Sequence, residues 1–216
     1  MKNEAEIEGV IKYQLNFLER PLAMDAEILR QLNEARKQML DEGLIGADEN
    51  RYGGLGFGNL SLRCNTTQCS RFFISGSQTG HLQTLSESDL AYVTGCDNRH
   101  NTVNAEGQCK PSSESMTHGV IYQSCLAINA VIHVHSPDIW YHSAALGLPD
   151  TAGDIAYGTP EMAASVSALV TRHSRHELPL VFTMRGHVDG VVAGGENLRQ
   201  CARALHQFRV RAQELN

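Results

Sequence analysis

The stretch KPSSESMTHGVIYQSCLAINAVIHVHS, residues 110–136, predicts a helix followed by a strand and carries most of the side chains that could do chemistry. Its end, residues 130–135, is rich in β-branched residues and is closed by Pro137, which cannot donate a ladder hydrogen bond. Side chains two positions apart on a strand point to the same face. We therefore expect His133 and His135 to converge on one face of a sheet.

The helix predicted before this strand begins near Ser112-Ser113-Glu114, where a serine can accept a hydrogen bond from a free N–H group of the first turn. Its apolar side is predicted to carry Met116, Val120, Ile121 and Leu126. A carboxylate from Glu114 and two imidazoles would supply most of the ligands of a metal ion. Alternatively, Glu114 is an ordinary first-turn acid that favours the helix dipole, and the histidines only pack in the sheet. Because two buried imidazoles without partners are costly, the metal interpretation is favoured for the pair.

A third ligand is expected from His187. Residues 179–184 predict a buried strand, and His187 follows shortly after it, with Gly190, Gly194 and Gly195 beyond. Histidines after strands and beside glycines lie where the backbone can approach a ligand. The other histidines lie in polar or helical contexts and are assigned no role: His81, His100, His118, His142, His173, His176 and His206.

Length and composition predict one soluble domain, residues 1–216, with a sizeable core, since 42% of the 216 residues are hydrophobic. The net charge of −6 and the lack of Lys or Arg runs argue against nucleic-acid and anionic-membrane partners. No apolar stretch is long enough for a membrane span or a signal peptide, so we expect a cytoplasmic protein. Without a C-x-x-C motif, six free thiols are expected: Cys64, Cys69, Cys96, Cys109, Cys125 and Cys201.

Periodicity predicts helices and strands that interleave along the chain. The predicted helices cover residues 25–42, 160–172 and 196–213, and the predicted strands cover residues 60–63, 71–75, 180–184 and 191–193. Residues 1–24 are expected to form an N-terminal arm or a short helix around residues 13–18. This order predicts an α+β or α/β sandwich with a central, largely antiparallel sheet flanked by helices.

Two polar turns rich in glycine could bind an anion. Residues 53–58 contain four glycines, which usually form a flexible hairpin loop but could also present backbone N–H groups beside Asn59. Residues 75–80 form a second such turn. The predicted cradle for a phosphate or another compact anion consists of Asn59, Thr79, Gly80, Ser112 and Ser113. Alternatively, these donors bind a carboxylate or satisfy their own loops.

Four motifs in order resemble those of the class II aldolase/adducin family. They are GNLSLR at residues 58–63, ISGSQTG at 74–80, KPSSE at 110–114 and HVHS at 133–136, followed by a later glycine-flanked histidine. The resemblance extends over about residues 25–210. It implies the same sheet-and-helix fold, and it adds a ring-shaped homotetramer with sites at the subunit borders.

The resemblance also implies a function. Sugar-phosphate aldolases of this family cleave a carbon–carbon bond with a divalent metal, usually zinc. Carried over position by position, Glu114 becomes the acid/base residue, while His133, His135 and His187 become the ligands of Zn²⁺ or another divalent metal. Asn59 becomes a contact of the substrate phosphate. The expected partner is therefore a small, phosphorylated hydroxy-carbonyl compound.

Three further points refine this expectation. Glutamate at Glu114 favours an aldolase or a related sugar-phosphate dehydratase, because the family's epimerases carry an aspartate there. Typical aldolases also have a longer insert after the second histidine, and this insert carries a tyrosine that donates a proton. The corresponding segment after His135 is shorter in this sequence. Tyr157 and Tyr141 are candidates to replace the proton-donating tyrosine. Asp189 is expected to orient the His187 ring.

Other classes of function stay open. A non-catalytic assembly module, as in adducin, would keep the fold without the chemistry, although such a module has no physical reason to keep four convergent ligands. A zinc hydrolase with a metal-activated water would use the same ligands. The sequence does not distinguish an aldolase from a dehydratase, and it does not identify the substrate.

Overall fold

The structure, a computed structural model, describes residues 9–64, 70–173 and 178–215. The strands are β1 (Gln14–Glu19), β2 (Gly46–Asp48), β3 (Arg51–Phe57), β4 (Asn59–Arg63), β5 (Phe72–Ser75), β6 (Leu90–Asp97), β7 (Thr102–Gly107), β8 (Ala130–His135), β9 (Leu180–Thr183) and β10 (Gly190–Gly195). The helices are α1 (Ala26–Asp41), α2 (Ser115–Ser124), α3 (Pro137–Tyr141), α4 (Pro160–His173) and α5 (Leu198–Gln213), with a 3₁₀ turn at Glu87–Asp89.

The main sheet has the strand order β1-β7-β6-β5-β4-β8-β10-β9. Its neighbours pair antiparallel, except that β1 and β7 pair parallel at one edge. Strands β2 and β3 form a separate hairpin. The predicted mixed fold, a largely antiparallel central sheet flanked by helices, is therefore confirmed.

Helices cover both faces of the main sheet, and β8 runs between the two cores. On one face, Ile132 and Val134 belong to the same hydrophobic cluster as Leu32 of α1. On the other face, Val131 clusters with Val120 of α2. The alternation of β8 places His133 and His135 on the α2 side, as the sequence predicts.

Helix α1 begins and ends where its sequence predicts. Asp25 caps it, because its side chain accepts a hydrogen bond from the N–H of Glu27 at 2.9 Å. Gly43 follows its last turn with φ +67°, a left-handed conformation that glycine adopts without strain. The predicted helices near residues 160–172 and 196–213 and the hairpin of β9 and β10 are confirmed as well.

Three local predictions are wrong. Residues 13–18 form most of strand β1 rather than a short helix, because Leu15 and Phe17 alternate inward with the period of a strand. The glycine run at residues 53–58 lies largely in β3, which pairs with β2, rather than in a flexible loop. Helix α2 ends at Ser124, so that Leu126 lies beyond it and is 72% exposed.

The remaining predictions concern thiols and membrane spans. The described cysteines are all free thiols, as expected: Cys64, Cys96, Cys109, Cys125 and Cys201. Cys69 and His176 lie outside the described residues. Among the helices that the structure describes, none combines the length and the apolar character needed to cross a membrane.

Candidate metal centre and anion cleft

Three histidines converge beside the centre of the main sheet. His133 and His135 come from β8, and His187 comes from the loop that joins β9 to β10. One potential ligand nitrogen from each ring lies within 4.8 Å of the others, and the ring centroids are 4.8 to 5.1 Å apart. All three side chains are buried. The structure thus brings together the three predicted metal ligands.

A tight turn delivers His187 to this cluster. Its N–H donates to the carbonyl of Met184 at 3.0 Å, and its own carbonyl accepts from the N–H of Gly190 at 2.9 Å. A Cβ atom at position 190 would lie 3.2 Å from the His187 ring carbon Cγ. Glycine at this position therefore lets the ring fold back over the sheet.

His133 and His135 are held neutral. Burial, with a smaller contribution from His187, keeps the pKa of His133 and of His135 well below the ordinary value. Neither ring nitrogen of His133 has a hydrogen-bond partner among the described residues. Buried imidazoles without partners are costly, and the neutral form is the one that offers a lone pair to a metal ion. This donor set fits Zn²⁺, which favours nitrogen ligands in small coordination shells.

Glu114 reaches the same cluster from the start of α2. Its carboxylate oxygen Oε1 lies 3.7 Å from Nδ1 of His187, and the side chain is 1% exposed. Its other oxygen, Oε2, accepts a hydrogen bond from the hydroxyl of Thr117 at 2.8 Å. Its backbone N–H donates to Oγ of Ser112 at 3.2 Å. Glu114 is itself the N-cap residue of α2, so a serine does not cap the first turn as predicted. A carboxylate is therefore fixed beside three imidazoles.

Tyr157 packs directly on this centre. Its buried ring stacks on His187, with centroids 4.3 Å apart and planes at 17°. The ammonium group of Lys12 lies 3.7 Å from the centroid of the Tyr157 ring and donates to the Tyr157 carbonyl at 3.1 Å. Of the two tyrosines considered from the sequence, Tyr157 touches a predicted ligand. Tyr141 is 76% exposed.

A second tyrosine, Tyr52, contacts the centre from the hairpin of β2 and β3. Its ring meets His135 edge-on at 4.6 Å, and its hydroxyl donates to Oδ2 of Asp189 at 2.6 Å. The Asp189 carboxylate thus binds Tyr52, and its predicted role in orienting His187 stays a prediction. Tyr52 and Asp189 are far apart in the sequence, and no local pattern could have paired them.

A narrow cleft lies next to the centre and is lined by the whole predicted cradle. Its lining residues are Gly9, Gly56, Gly58, Asn59, Gly76, Ser77, Gln78, Thr79, Gly80, Ser112 and Ser113. Asn59 pairs with His133 in the register of β4 and β8, which places the cleft and the histidines side by side. A Cβ atom at position 80 would lie 2.2 Å from the carbonyl oxygen of Gly46, so this position requires glycine.

The cleft is nearly closed. Its open volume is about 10 Å³, roughly the space that one water molecule needs. One backbone donor of the cleft is already used, because the N–H of Gly56 donates to Oε1 of the Gln78 side chain at 2.9 Å. Oδ1 of Asn59 is buried without a hydrogen-bond partner among the described residues. The Gln78 side chain is therefore one of the groups that fill the cleft.

A family model supplies the assignment that the geometry leaves open. The class II aldolase and adducin N-terminal domain matches residues 47–214 of this sequence. The chain belongs to the class II aldolase and adducin family. The match spans β3 to α5 and therefore includes the histidines, Glu114 and most of the cleft.

Solved structures share the fold of this class II aldolase/adducin chain. L-fuculose-1-phosphate aldolase from Thermus thermophilus is 21% identical, with a TM-score of 0.63, and covers 88% of this chain and 93% of its own. YgbL from Klebsiella pneumoniae, described as a putative aldolase/epimerase/decarboxylase, is 18% identical with a TM-score of 0.65, over 88% and 89%. No curated protein matches the sequence significantly.

A buried polar network lies next to the three histidines of this family member. Oγ of Ser61 is 2.7 Å from Nδ1 of His118 and 2.7 Å from the hydroxyl of Tyr122, and it is hydrogen-bonded to both. His118 lies one helical turn after Glu114, and burial lowers the pKa of its ring to about 3. The sequence assigned His118 no role, although its spacing from Glu114 places both residues on one face of α2.

Acid should destabilise the protein through His118. Its pKa is about 3 when folded and about 6.5 when unfolded, so the unfolded chain takes up the proton first. The stabilisation is complete above about pH 6.5 and falls by up to about 1.4 kcal/mol per pH unit below it. In metal-free protein, His118→Asn should reduce the dependence of the unfolding free energy on pH, measured by urea denaturation at several pH values, by the share of one histidine, while His133 and His135 keep theirs. The exposed His100, whose pKa Asp97 raises, is the control; an unchanged slope in His118→Asn would contradict the assignment.

Proposed function

We propose that this protein is a metal-dependent lyase of the class II aldolase type, with Zn²⁺ as the favoured metal. Its substrate would be a small, phosphorylated hydroxy-carbonyl compound in which a carbon–carbon bond is cleaved or formed. The carrying observation is the buried set of three imidazoles with the Glu114 carboxylate 3.7 Å from His187. Family membership supports the same conclusion.

The residues of the centre suit this reaction. A bound zinc ion would polarise the substrate carbonyl as a Lewis acid. Glu114 would carry a proton to or from the carbon next to that carbonyl, because Thr117 fixes one carboxylate oxygen and leaves the other facing His187. Burial of the histidines excludes water from the reacting atoms.

The neighbouring cleft would hold the phosphate group of the substrate. Asn59, Thr79, Gly80, Ser112 and Ser113 all line it. Holding the distal end of the substrate there would place the reacting carbons at the histidines. L-fuculose-1-phosphate aldolase from Thermus thermophilus, which shares the fold, acts on a sugar phosphate by its name.

Three other functions are weighed against this one. A related sugar-phosphate dehydratase would use the same ligands and would release water instead of an aldehyde. A zinc hydrolase would use the same ligands, with Glu114 as the general base for a metal-activated water, and would release no aldehyde from a hydroxy-carbonyl substrate. A non-catalytic adducin-like module is disfavoured, because burying four convergent polar groups costs stability and serves no purpose in assembly.

We also propose that the chain forms a homotetramer with its sites at subunit borders.

An aldehyde-release screen tests the proposed reaction. Zinc-loaded protein would be incubated with a panel of sugar phosphates, and released aldehyde would be measured by coupled reduction. We expect turnover with at least one phosphorylated substrate, lost after chelation and restored by zinc. Release of water without aldehyde would favour the dehydratase, and inactivity of fully metal-loaded protein across hydroxy-carbonyl substrates would favour the assembly module.

Ser113→Ala should weaken use of the phosphorylated substrate. The Ser113 side chain is buried at the cleft, and loss of one hydrogen bond to a charged group costs about 1.5–3 kcal/mol, or about tenfold to a hundredfold in kcat/KM. The unphosphorylated analogue should be unaffected. Ser88→Ala, at an exposed position in the 3₁₀ turn, is the matched control. Equal losses with both substrates would exclude a phosphate contact for Ser113.

A further inference from the structure

A buried cation lies beneath the anion cleft. Arg36, in helix α1, is fully buried, and no carboxylate among the described residues lies within ion-pair distance of its guanidinium. Burial lowers the pKa of Arg36 to about 10, and the more distant Asp89 offsets this only in part. An unpaired buried charge is among the most costly groups in a protein. Hydrogen bonds or an opposite charge must therefore offset the cost of burying the Arg36 guanidinium.

The guanidinium of Arg36 donates hydrogen bonds to the loop that forms one wall of the cleft. Its Nη2 donates to the carbonyls of Thr79 at 2.6 Å, Gly80 at 3.1 Å and Leu82 at 2.7 Å, and its Nε donates to Leu82 at 3.0 Å. Its Nη1 has no hydrogen-bond partner among the described residues. One side chain thus binds three carbonyl groups of this loop, those of Thr79, Gly80 and Leu82.

These hydrogen bonds determine the direction in which the loop's N–H groups point. In a trans peptide the carbonyl and the following N–H point in opposite directions. Because Arg36 attracts the carbonyls of Thr79 and Gly80, the N–H groups of Gly80 and His81 point away from it. The N atom of Gly80 faces Gly56, another lining residue, since a Cβ atom at Gly56 would lie 2.9 Å from it. The wall therefore offers the Gly80 N–H as a donor beside the cleft.

We propose that Arg36 is a positioning residue and the buried counter-charge for a phosphoryl group in this cleft. It acts through the loop without touching the ligand, and its positive charge lies one peptide layer behind the donors. The anion would supply the negative charge that the described structure does not place beside Arg36. This inference rests on the proposed phosphate site and adds the source of its attraction, which the net charge of −6 cannot provide.

The test is binding of inorganic phosphate to metal-free protein, followed by NMR at the amides of Gly80 and His81. Arg36→Met removes the charge, whereas Arg36→Lys keeps it. Arg30→Met on the same helix removes an exposed arginine paired with Glu27 and Glu34 and serves as the matched control. We expect phosphate to shift both amides in the wild type, with affinity about tenfold or more weaker in Arg36→Met. Arg36→Lys should recover part of the loss, and Arg30→Met should bind as the wild type does.

The outcomes separate this proposal from the proposed function. Folded Arg36→Met that binds phosphate with wild-type affinity would overturn the role of Arg36 while leaving the phosphate site intact. If Arg36→Met does not fold, the wild-type Nε–H resonance of Arg36 decides: we expect it to move on phosphate addition, and a resonance that stays fixed while Gly80 shifts would overturn the proposal. Wild-type protein that binds no phosphate would overturn both the cleft assignment and the role of Arg36, whereas metal binding by the histidines would stand.

Discussion

Alanine at His133, His135 or His187 should leave the purified protein without its divalent metal and without turnover. Each ring supplies one of three nitrogens that lie within 4.8 Å of one another. Two remaining ligands hold zinc far more weakly than three, because structural and catalytic zinc sites use at least three protein ligands. Loss of the Lewis acid should lower kcat by about a thousandfold or more, since its contribution is several kcal/mol.

Metal content per chain, measured by mass spectrometry after gel filtration, checks this expectation. His206→Ala is the control, because His206 is half exposed in α5 and pairs with Glu42 away from the centre. Circular dichroism should show that each variant is folded. A triple alanine variant that still carries one metal ion per chain would move the site elsewhere and remove the basis of the proposed lyase.

The convergence of the three histidines could be predicted from the sequence because the position of each depends on a local rule. The alternation of β8 fixes the face of His133 and His135, and both flanking cores require its apolar residues to point as they do. His187 follows a strand and precedes a glycine that the turn requires. Such local rules survive folding because tertiary contacts reinforce them.

Other features depend on contacts between distant segments, and the sequence does not reveal them. Strand β1 is stabilised by parallel pairing with β7, a partner far along the chain. The glycine run forms β3 only because β2 pairs with it. The hairpin of β2 and β3 also brings the Tyr52 hydroxyl to the Asp189 carboxylate, to which it donates a hydrogen bond. Propensity alone favours loops for glycine, and tertiary pairing overrides that preference here.

Arg36 lies between these cases. Its spacing from Leu32 and Met39 places it on the buried face of α1, so helical periodicity could have shown that a charge lies in the core. Its partners, however, are carbonyls of a loop more than 40 residues away. Helical periodicity can therefore show that this charge is buried, whereas only the folded structure shows which carbonyls it binds.

Glu114→Gln should abolish most turnover while leaving the metal in place. Glutamine keeps the size of the side chain and can still accept the hydrogen bond from Thr117, so the position of the group should be preserved. It cannot take up or release a proton at carbon, and general acid–base catalysis is worth about 10²–10⁴ in rate. We therefore expect kcat to fall by this factor, with one metal ion per chain retained.

The control and the readouts distinguish proton transfer from other roles of Glu114. Glu161→Gln removes an exposed acid from the first turn of α4 and should have no effect on turnover, which tests the idea that Glu114 is only an ordinary first-turn acid. Exchange of the substrate C–H with deuterium should slow in step with kcat if Glu114 carries the proton. A parallel loss of metal and rate would make Glu114 a ligand alone, and near wild-type turnover by metal-loaded Glu114→Gln would exclude it from the reaction.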